Sequence, residues 1–274
     1  MKNGNNVAAP FVVHAMQAYV AICGDDISEK EIAEKMELQS FPCGFRYQNG
    51  SEKWLFSPGK LLTNTLCTAT NSLLDTISPK QDVLDSIVRC NLARCKCGVK
   101  IDFARNLQSP DMTFDERFLA FLSASGCDAE LILQTGDREP DRISADNSAQ
   151  CYIEAAISGH HLDFDDITSS LQIKPTIFRK EESFPESSKR AGYAADEWLY
   201  QTRKIHPNEL SSELCALLND LKSRENALLS LKKKYAADIL VTAVITRNSR
   251  YDFVIPHELC SFIHRIGINL ALDV

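Results

Sequence analysis

Three cysteines lie close together in the segment CNLARCKC, at Cys90, Cys95 and Cys97. Thiolates at tetrahedral positions bind zinc, and Cys95 and Cys97 would share one face of a strand because strand side chains alternate in direction. The usual Cys-x2-Cys spacing is absent, and no second cysteine pair follows nearby. The sequence therefore favours ordinary core or edge cysteines. It leaves the three as weak candidates for metal ligands, and no cofactor is expected.

A second group of chemically active side chains, His257, Cys260 and His264, has the spacing of a single helical stripe. Such a stripe could present imidazole and thiolate groups to a metal or a substrate. The apolar residues of the same segment define a core face, at Leu259, Phe262, Ile263 and Ile266. The sequence favours a surface stripe that flanks this core face.

Three carboxylates, Asp163, Asp165 and Asp166, could carry out acid–base chemistry or hold magnesium. They fall at the predicted start of a helix, where capping and the helix dipole favour negative charge. The structural role is therefore the favoured interpretation.

Two predicted turns carry pairs of polar residues, His160-His161 in the second half and Asp25-Asp26 at the matching point of the first. Turns hold recognition residues in many proteins, although solvated turn residues are the commoner case. We retain Asp25, Asp26, His160 and His161 as candidate partner-binding residues.

A polar loop, Arg179–Ala195, follows in the second half and contains the basic pairs Arg179-Lys180 and Lys189-Arg190. These pairs could form an anion site. Acidic residues lie among them, which favours a mixed-charge solvated loop. They are Glu181, Glu182 and Glu186. Arg179 and Lys180 stay candidates for partner binding.

A tryptophan recurs at the same place in both halves, as Trp54 and Trp198. A repeated aromatic residue in a strand is more often part of the core than a ligand platform. Trp198 is nevertheless included among the candidate partner-binding residues because it adjoins the polar loop.

The elements that position these residues occur twice along the chain. Each half reads β-α-β-α-α-β-α-β, and the sequence predicts an α+β fold of two tandem homologous domains, each a small, mostly antiparallel four-stranded sheet covered by helices. The predicted boundaries are 12–134, a linker at 135–150, and 151–274. The matches between the halves are Ala18, Val20 and Ile22 with Ile153, Ala155 and Ile157, Gly24 with Gly159, and Gly126 with Gly267. Among the predicted elements are a helix over Lys60–Ile77 and a strand over Ala237–Arg247. The sequence does not decide how the two sheets are arranged.

The composition limits the class of protein. The net charge of −7 disfavours general nucleic-acid binding and suits a basic protein partner. No stretch approaches the roughly 20 apolar residues of a spanning helix, so no membrane association is expected. Met1–Pro10 lacks the apolar segment of a signal peptide, and the ten cysteines then indicate reduced thiols in a cytoplasmic protein.

The second unit resembles a bacterial family, domain of unknown function 4279 (DUF4279). The resemblance rests on Gly159, Asp163-Phe164-Asp165-Asp166-Ile167, Leu171, Pro175-Thr176, Trp198-Leu199, Pro256-His257-Glu258-Leu259 and Gly267. The first unit resembles the family as a diverged copy in which Gln39-Ser40 replaces Pro175-Thr176. Family members look like small cytosolic binding proteins, some encoded near toxin or defence genes, which implies a neutralising or adaptor role.

The sequence and the resemblance together predict a non-enzymatic protein that binds a macromolecule. The concrete expectation is an immunity- or defence-associated protein that neutralises a partner, such as a basic toxin or effector, by occlusion. The alternative is a small-ligand sensor or enzyme with its site between the two units or under the long loop. The oligomeric state is not predicted.

Overall fold

A computed structural model describes residues 14–24, 28–39, 52–90, 93–103, 110–135, 151–190, 194–245 and 251–273. Helices and strands are mixed along this part of the chain and form two sheets with helices packed against them. The predicted α+β class and the two-unit organisation are confirmed.

The first half contains five strands and four α-helices among its described residues. In order they are β1 (His14–Cys23), α1 (Glu29–Met36), β2 (Glu52–Phe56), β3 (Leu61–Thr63), α2 (Leu66–Ile77), α3 (Gln81–Cys90), β4 (Arg94–Phe103), α4 (Glu116–Ser125) and β5 (Asp128–Thr135). A single 3-10 turn, Ser78–Lys80, joins α2 to α3 and contains Pro79.

The second half repeats this order with additional short elements. They are β6 (Tyr152–Gly159), α5 (Phe164–Leu171), β7 (Ile177–Arg179), α6 (Glu186–Arg190), β8 (Asp196–Gln201), α7 (Leu210–Lys222), α8 (Glu225–Tyr235), β9 (Asp238–Val244), β10 (Tyr251–Ile255), α9 (His257–Ile266) and β11 (Ile268–Asp273). Two 3-10 turns, Glu181–Ser183 and Pro207–Glu209, precede α6 and α7.

The prediction of a helix over Lys60–Ile77 is wrong for its first residues, because Leu61–Thr63 form strand β3. The strand β2 pairs with only the second half of β1, and β3 pairs with the free beginning of β1, where Leu62 lies opposite Ala15. The Thr63 hydroxyl then accepts a hydrogen bond from the Thr65 amide at 3.2 Å, and the helix begins after it. An available strand edge therefore outweighed the helical periodicity of these residues.

The first sheet has the strand order β10-β5-β4-β1-β2, with β3 also on β1, and the second has the order β11-β9-β6-β8-β7. The pairs β4–β5 and β9–β11 are parallel, and the other pairs are antiparallel. The described sheets thus have six and five strands. Each is larger than the four strands predicted, because β3, β7 and β10 were missed.

The two halves exchange segments at the outer strands of their sheets. Strand β10 comes from the second half but pairs with β5 of the first, with Ile255 opposite Ala129. Reciprocally, the Phe114 amide of the first half donates to the Leu270 carbonyl of β11 at 2.9 Å. Alignment of Gly126 with Gly267 makes Ala129 equivalent to Leu270, and Phe114 equivalent to Ile255. The two exchanged contacts are therefore related by a pseudo-twofold axis. Helices α4 and α9, which are equivalent in the two halves, also pack against each other.

The two sheets differ in how their second faces are covered. In both sheets the helices cover one face, and Trp54 and Trp198 lie at equivalent core positions there. The other face of the first sheet is also buried, with Tyr19, Ala21, Leu55 and Ile132 in a small separate cluster. In the second sheet, burial alternates along β6 from Tyr152 to Ser158 and along the whole of β11, so its second face remains accessible.

The buried second face of the first sheet contains a polar network. The Tyr19 hydroxyl donates to Glu130 Oε2 at 2.6 Å, and Lys96 Nζ lies 3.2 Å from Glu130 Oε1. Gly98 makes room for the Tyr19 ring, because a Cβ at Gly98 would lie 2.5 Å from the Tyr19 hydroxyl oxygen. At the positions equivalent to Tyr19 and Gly98, the second sheet has Glu154 and Thr242, which lie opposite each other.

Candidate functional site

The accessible face of the second sheet carries a continuous apolar row across four strands. Ile177 of β7 lies opposite Leu199 of β8, Leu199 opposite Ala156 of β6, and Ala156 opposite Leu240 of β9. Ile177 and Leu240 are 39% and 37% exposed, and the other two are half-buried. Contiguous exposed apolar residues of this kind mark interaction surfaces more often than scattered ones do.

Charged residues flank this row on both sides, and most of them are acidic. We define the open face as the apolar row together with its charged neighbours. Its described strands present four carboxylates against one guanidinium, from Glu154, Glu197, Asp238, Asp273 and Arg179. Arg179 Nη1 lies 3.5 Å from Glu197 Oε2, so its charge is already partly balanced within the face. The open face is therefore an acidic surface with an apolar centre.

Partial burial and like charges perturb two groups at one end of the open face. The pKa of Glu154 is raised, first by burial and then by Asp273 and Glu197, while Arg179 opposes the shift. The pKa of Tyr152 is raised by burial and by the nearby carboxylates Glu154 and Asp273. A positive charge placed against this end would relieve the repulsion among the carboxylates.

The corner of the second sheet beside the open face is held together by Asp196 at the start of β8. Asp196 Oδ2 accepts from the Leu162 amide at 2.9 Å and lies 3.2 Å from Lys180 Nζ. Its Oδ1 accepts from the Glu181 amide at 2.8 Å. One buried carboxylate thus joins the turn after β6 to the loop after β7. Burial alone would raise the pKa of Asp196, but the hydrogen bonds from Glu181, Lys180 and Leu162 lower it.

This corner brings together three of the residues singled out in the sequence. His160 Nδ1 lies 3.0 Å from Glu181 Oε2 on the surface. Lys180 Nζ donates to the Leu162 carbonyl at 2.7 Å and lies 4.2 Å from the centre of the Phe164 ring. Arg179 belongs to the open face, as described above. His160 and Arg179 are accessible to a partner, whereas Lys180 is engaged in holding the corner.

The remaining candidates for partner binding have different positions. His161 is exposed and has a positive φ of 57°, which shapes the turn. Trp198 is 1% exposed, and its Nε1 donates to Thr168 Oγ1 at 3.0 Å. The indole is therefore a core group and not a contact surface. Asp25 and Asp26 lie outside the described residues, as do the side chains of Lys189 and Arg190.

The three aspartates after the His160-His161 turn have the structural role that the sequence favoured. Asp163 is the N-cap of α5 and accepts from the amides of Asp165 and Asp166, each at 3.1 Å. Asp166 also accepts from Lys234 Nζ and the Tyr235 hydroxyl, which ties α5 to α8.

The cysteine cluster differs from the predicted one in its third member. The Sγ atoms of Cys95, Cys97 and Cys127 lie within 4.8 Å of one another, and all three residues are buried. Cys90 is exposed at the end of α3 and does not belong to this group. Its inclusion was wrong because α3 ends on the surface before β4 enters the core. Cys127 was missed because only the β4–β5 pairing brings it beside Cys95.

The stripe predicted on the last helix is also corrected. Cys260 is fully buried in the core, whereas His257 and His264 are only half-buried. The His257 amide donates to Asp128 Oδ1 at 2.9 Å at the start of α9. The Cys260 thiol donates to the Ile255 carbonyl at 3.5 Å within the core, so these three residues do not form one surface.

Two clefts formed by described residues lie away from the places where a small-ligand site was predicted. One of about 600 Å³ lies between the end of α5 and the α7–α8 turn, lined in part by Gln172 and Arg224. The other, of about 770 Å³, lies along α1. Both are lined mainly by polar and charged side chains.

The open face was missed in the sequence, although a signal for it was present. The alternate residues of β6 that point away from the core are Tyr152, Glu154, Ala156 and Ser158. This alternation predicts a strand with one covered and one accessible face. The row became recognisable only when β7, which was not predicted as a strand, added Ile177 to it.

Comparison with known proteins finds a family match in the second half of the chain. Residues 149–274 match the model of the domain of unknown function DUF4279, so this part of the chain is similar to that family. No curated protein and no solved structure matches the chain. No helix within the described ranges is both long enough and apolar enough to cross a membrane.

Proposed function

We propose that the protein is a non-enzymatic binding protein that captures a basic protein partner on the open face. The observation that carries the proposal is the acidic, partly apolar, accessible face of the second sheet, beside a first sheet whose equivalent face is buried. An accessible apolar row among four carboxylates, present on only one of the two sheets, supports a role in contact with another molecule.

The proposed partner presents an apolar patch surrounded by lysine and arginine. The apolar row would supply the desolvated centre of the interface, and the carboxylates would form a charged rim. Complementary charge accelerates encounter and suppresses wrong partners more than it strengthens binding. The finer proposal is that the partner is a toxin or effector and that the bound protein neutralises it by occluding its active site, in the cytoplasm. The nine described cysteines are all free thiols, in keeping with a reducing compartment.

The test uses the tagged protein in its native host, with matched variants. The apolar row is tested by Leu240→Ser, and its control is Leu229→Ser, since these leucines are 37% and 42% exposed on β9 and α8. The charged rim is tested by Glu197→Lys, and its control is Glu34→Lys on α1. Partners are identified by mass spectrometry, and affinities are then measured with the purified pair.

The proposal expects one stoichiometric basic protein partner. Leu240→Ser should weaken its binding about tenfold or more, the range of an interface anchor, while Leu229→Ser should leave it unchanged. Glu197→Lys should mainly slow association. Equal affinity for all four variants, or a partner that is acidic, would contradict the proposal.

A further inference from the structure

A buried group of three thiols lies in the first half, on the core side of the sheet. Cys95 and Cys97 point inward from β4, and Cys127 immediately precedes β5, which runs parallel to β4. The three Sγ atoms are within 4.8 Å of one another, as in a set of ligands around one centre. Gly126 ends α4 with a φ of 64°, and the Cys127 amide donates to the Leu122 carbonyl, so the backbone on both sides of the third thiol is held in place.

The second half shows what the fold itself requires at these positions. Ile22 of the first half and Ile157 of the second are equivalent. Cys95 lies opposite Ile22 and Ile239 lies opposite Ile157, so Ile239 is the equivalent of Cys95. Val241 is then the equivalent of Cys97, and Ile268, after Gly267, is the equivalent of Cys127. All three aliphatic residues are buried in the core. Packing is thus satisfied by Ile, Val and Ile, whereas the first half has a thiol at every one of the three mutually adjacent positions.

We propose that Cys95, Cys97 and Cys127 bind a single thiophilic metal ion and that Zn²⁺ is the ion that fits this site best. Three thiolate sulfurs are soft ligands, which select Zn²⁺ or Cu⁺ over hard cations. On binding, each thiol loses its proton to solvent and each sulfur forms a bond to the ion. Three thiolates around Zn²⁺ carry one net negative charge, against two around Cu⁺. The smaller buried charge favours Zn²⁺ in this core.

The thiols lie in the hydrophobic core of the first half, away from solvent. The Cys127 thiol also donates to the Ser125 carbonyl at 3.9 Å. Cys260 is a further buried thiol of the same core, and its Sγ donates to the Ile255 carbonyl at 3.5 Å.

Burial also determines how the site must be loaded. The three cysteines are at most 2% exposed, so an ion would enter while the chain folds. The full-length protein is therefore produced in zinc-supplemented medium, and a second sample is unfolded with chelator and refolded with and without Zn²⁺. Metal content is measured by elemental mass spectrometry, and stability by thermal unfolding under reducing conditions.

The second half supplies substitutions that the fold accepts. Cys97→Val and Cys95→Ile copy Val241 and Ile239, and Cys23→Val is a matched control on the opposite face of the same sheet. About one zinc ion per chain is expected in the unmodified protein and in Cys23→Val, with a decrease of about tenfold or more in the other two variants. The unmodified protein should also unfold at a higher temperature when refolded with Zn²⁺, and the two ligand variants should show no such increase.

Three results would overturn the proposal. The first is a metal-free protein that refolds to the same stability with and without Zn²⁺. The second is unchanged zinc content in the double variant Cys95→Ile/Cys97→Val, provided that the variant is folded. The third is a disulfide bond among the three cysteines in the protein isolated from cells.

Discussion

Asp196 is the residue on which the corner beside the open face depends. It is nearly fully buried and receives hydrogen bonds from two backbone amides and from Lys180. Neutralising it leaves the Lys180 ammonium without its carboxylate and weakens both backbone contacts. Because these partners come from two different loops, we expect the consequence to extend to the whole corner.

The first prediction concerns Asp196→Asn, which should lower the free energy of unfolding by about 2–3 kcal/mol at neutral pH. The folded pKa of Asp196 is lowered, so the charged carboxylate contributes its stability fully above the unfolded value of about 3.9. That contribution is lost as the pH falls through the folded value. The difference between the two proteins in urea unfolding should therefore shrink below about pH 4.

The control for Asp196→Asn is Asp238→Asn, at an exposed position on β9. It removes the same charge but should change stability by less than about 0.5 kcal/mol at any pH in this range. A pH-independent effect of Asp196→Asn would show that its role is packing and not ionisation.

The two equivalent tryptophans provide a second prediction at the residue scale. Trp198 Nε1 donates to Thr168 Oγ1, whereas the Nε1 of Trp54 is buried without a partner among the described residues. Thr168→Val keeps the side-chain volume but removes the acceptor, and it should reduce the free energy of unfolding by about 1–2 kcal/mol. In a Trp198→Phe background the same change should have little effect. Equal losses in both backgrounds would mean that the hydrogen bond contributes nothing.

At the scale of elements, β10 is the part of the second half that completes the first sheet. Phe253 lies opposite Leu131, while the Val254 amide and carbonyl on the other edge are satisfied by the Ser211 hydroxyl of α7. Strand β10 is therefore held on both sides and forms a bridge between the sheet of the first half and a helix of the second.

The third prediction uses Phe253→Pro, which removes a backbone amide on the β5 side of this bridge. It should destabilise the protein by about 3 kcal/mol or more, whereas Phe253→Leu should have a smaller effect because it keeps the amide. Hydrogen exchange should become faster in β5 although the substitution lies in the second half. Faster exchange restricted to residues 251–273 would show that the bridge carries no coupling.

At the scale of the whole molecule, the exchange of segments makes the two halves one cooperative structure. Strand β10 on β5, Phe114 on β11 and the α4–α9 contact all join them. We therefore expect a single unfolding transition in calorimetry, with equal calorimetric and van't Hoff enthalpies. Two resolved transitions, or independent folding of residues 12–134 and 151–274 as separate chains, would contradict this fourth prediction.

The asymmetry of the two halves also belongs to this scale. The same arrangement of strands has a buried second face in the first half and an accessible one in the second. The thiol cluster lies in the first half, and the open face lies in the second. The two halves, which have similar strand arrangements, thus carry different chemistry, a candidate metal site in the first and a candidate binding surface in the second.

The sequence by itself determined the elements whose signals are local. The capping box of Ser28 and Glu31 defines the start of α1, and Gly126 and Gly267 define the ends of α4 and α9. Alternating apolar residues also located most of the core strands. These features could be predicted because hydrogen bonding and burial within one short segment decide them.

Only the tertiary structure decided the features that depend on distant partners. Strands β3, β7 and β10 are short segments that become strands because an open edge receives them. Cys127 joins Cys95 and Cys97 through the register of two parallel strands, and the apolar row exists only across four paired strands. The physical reason is that pairing between strands far apart in sequence brings these groups together, and no local pattern encodes that pairing.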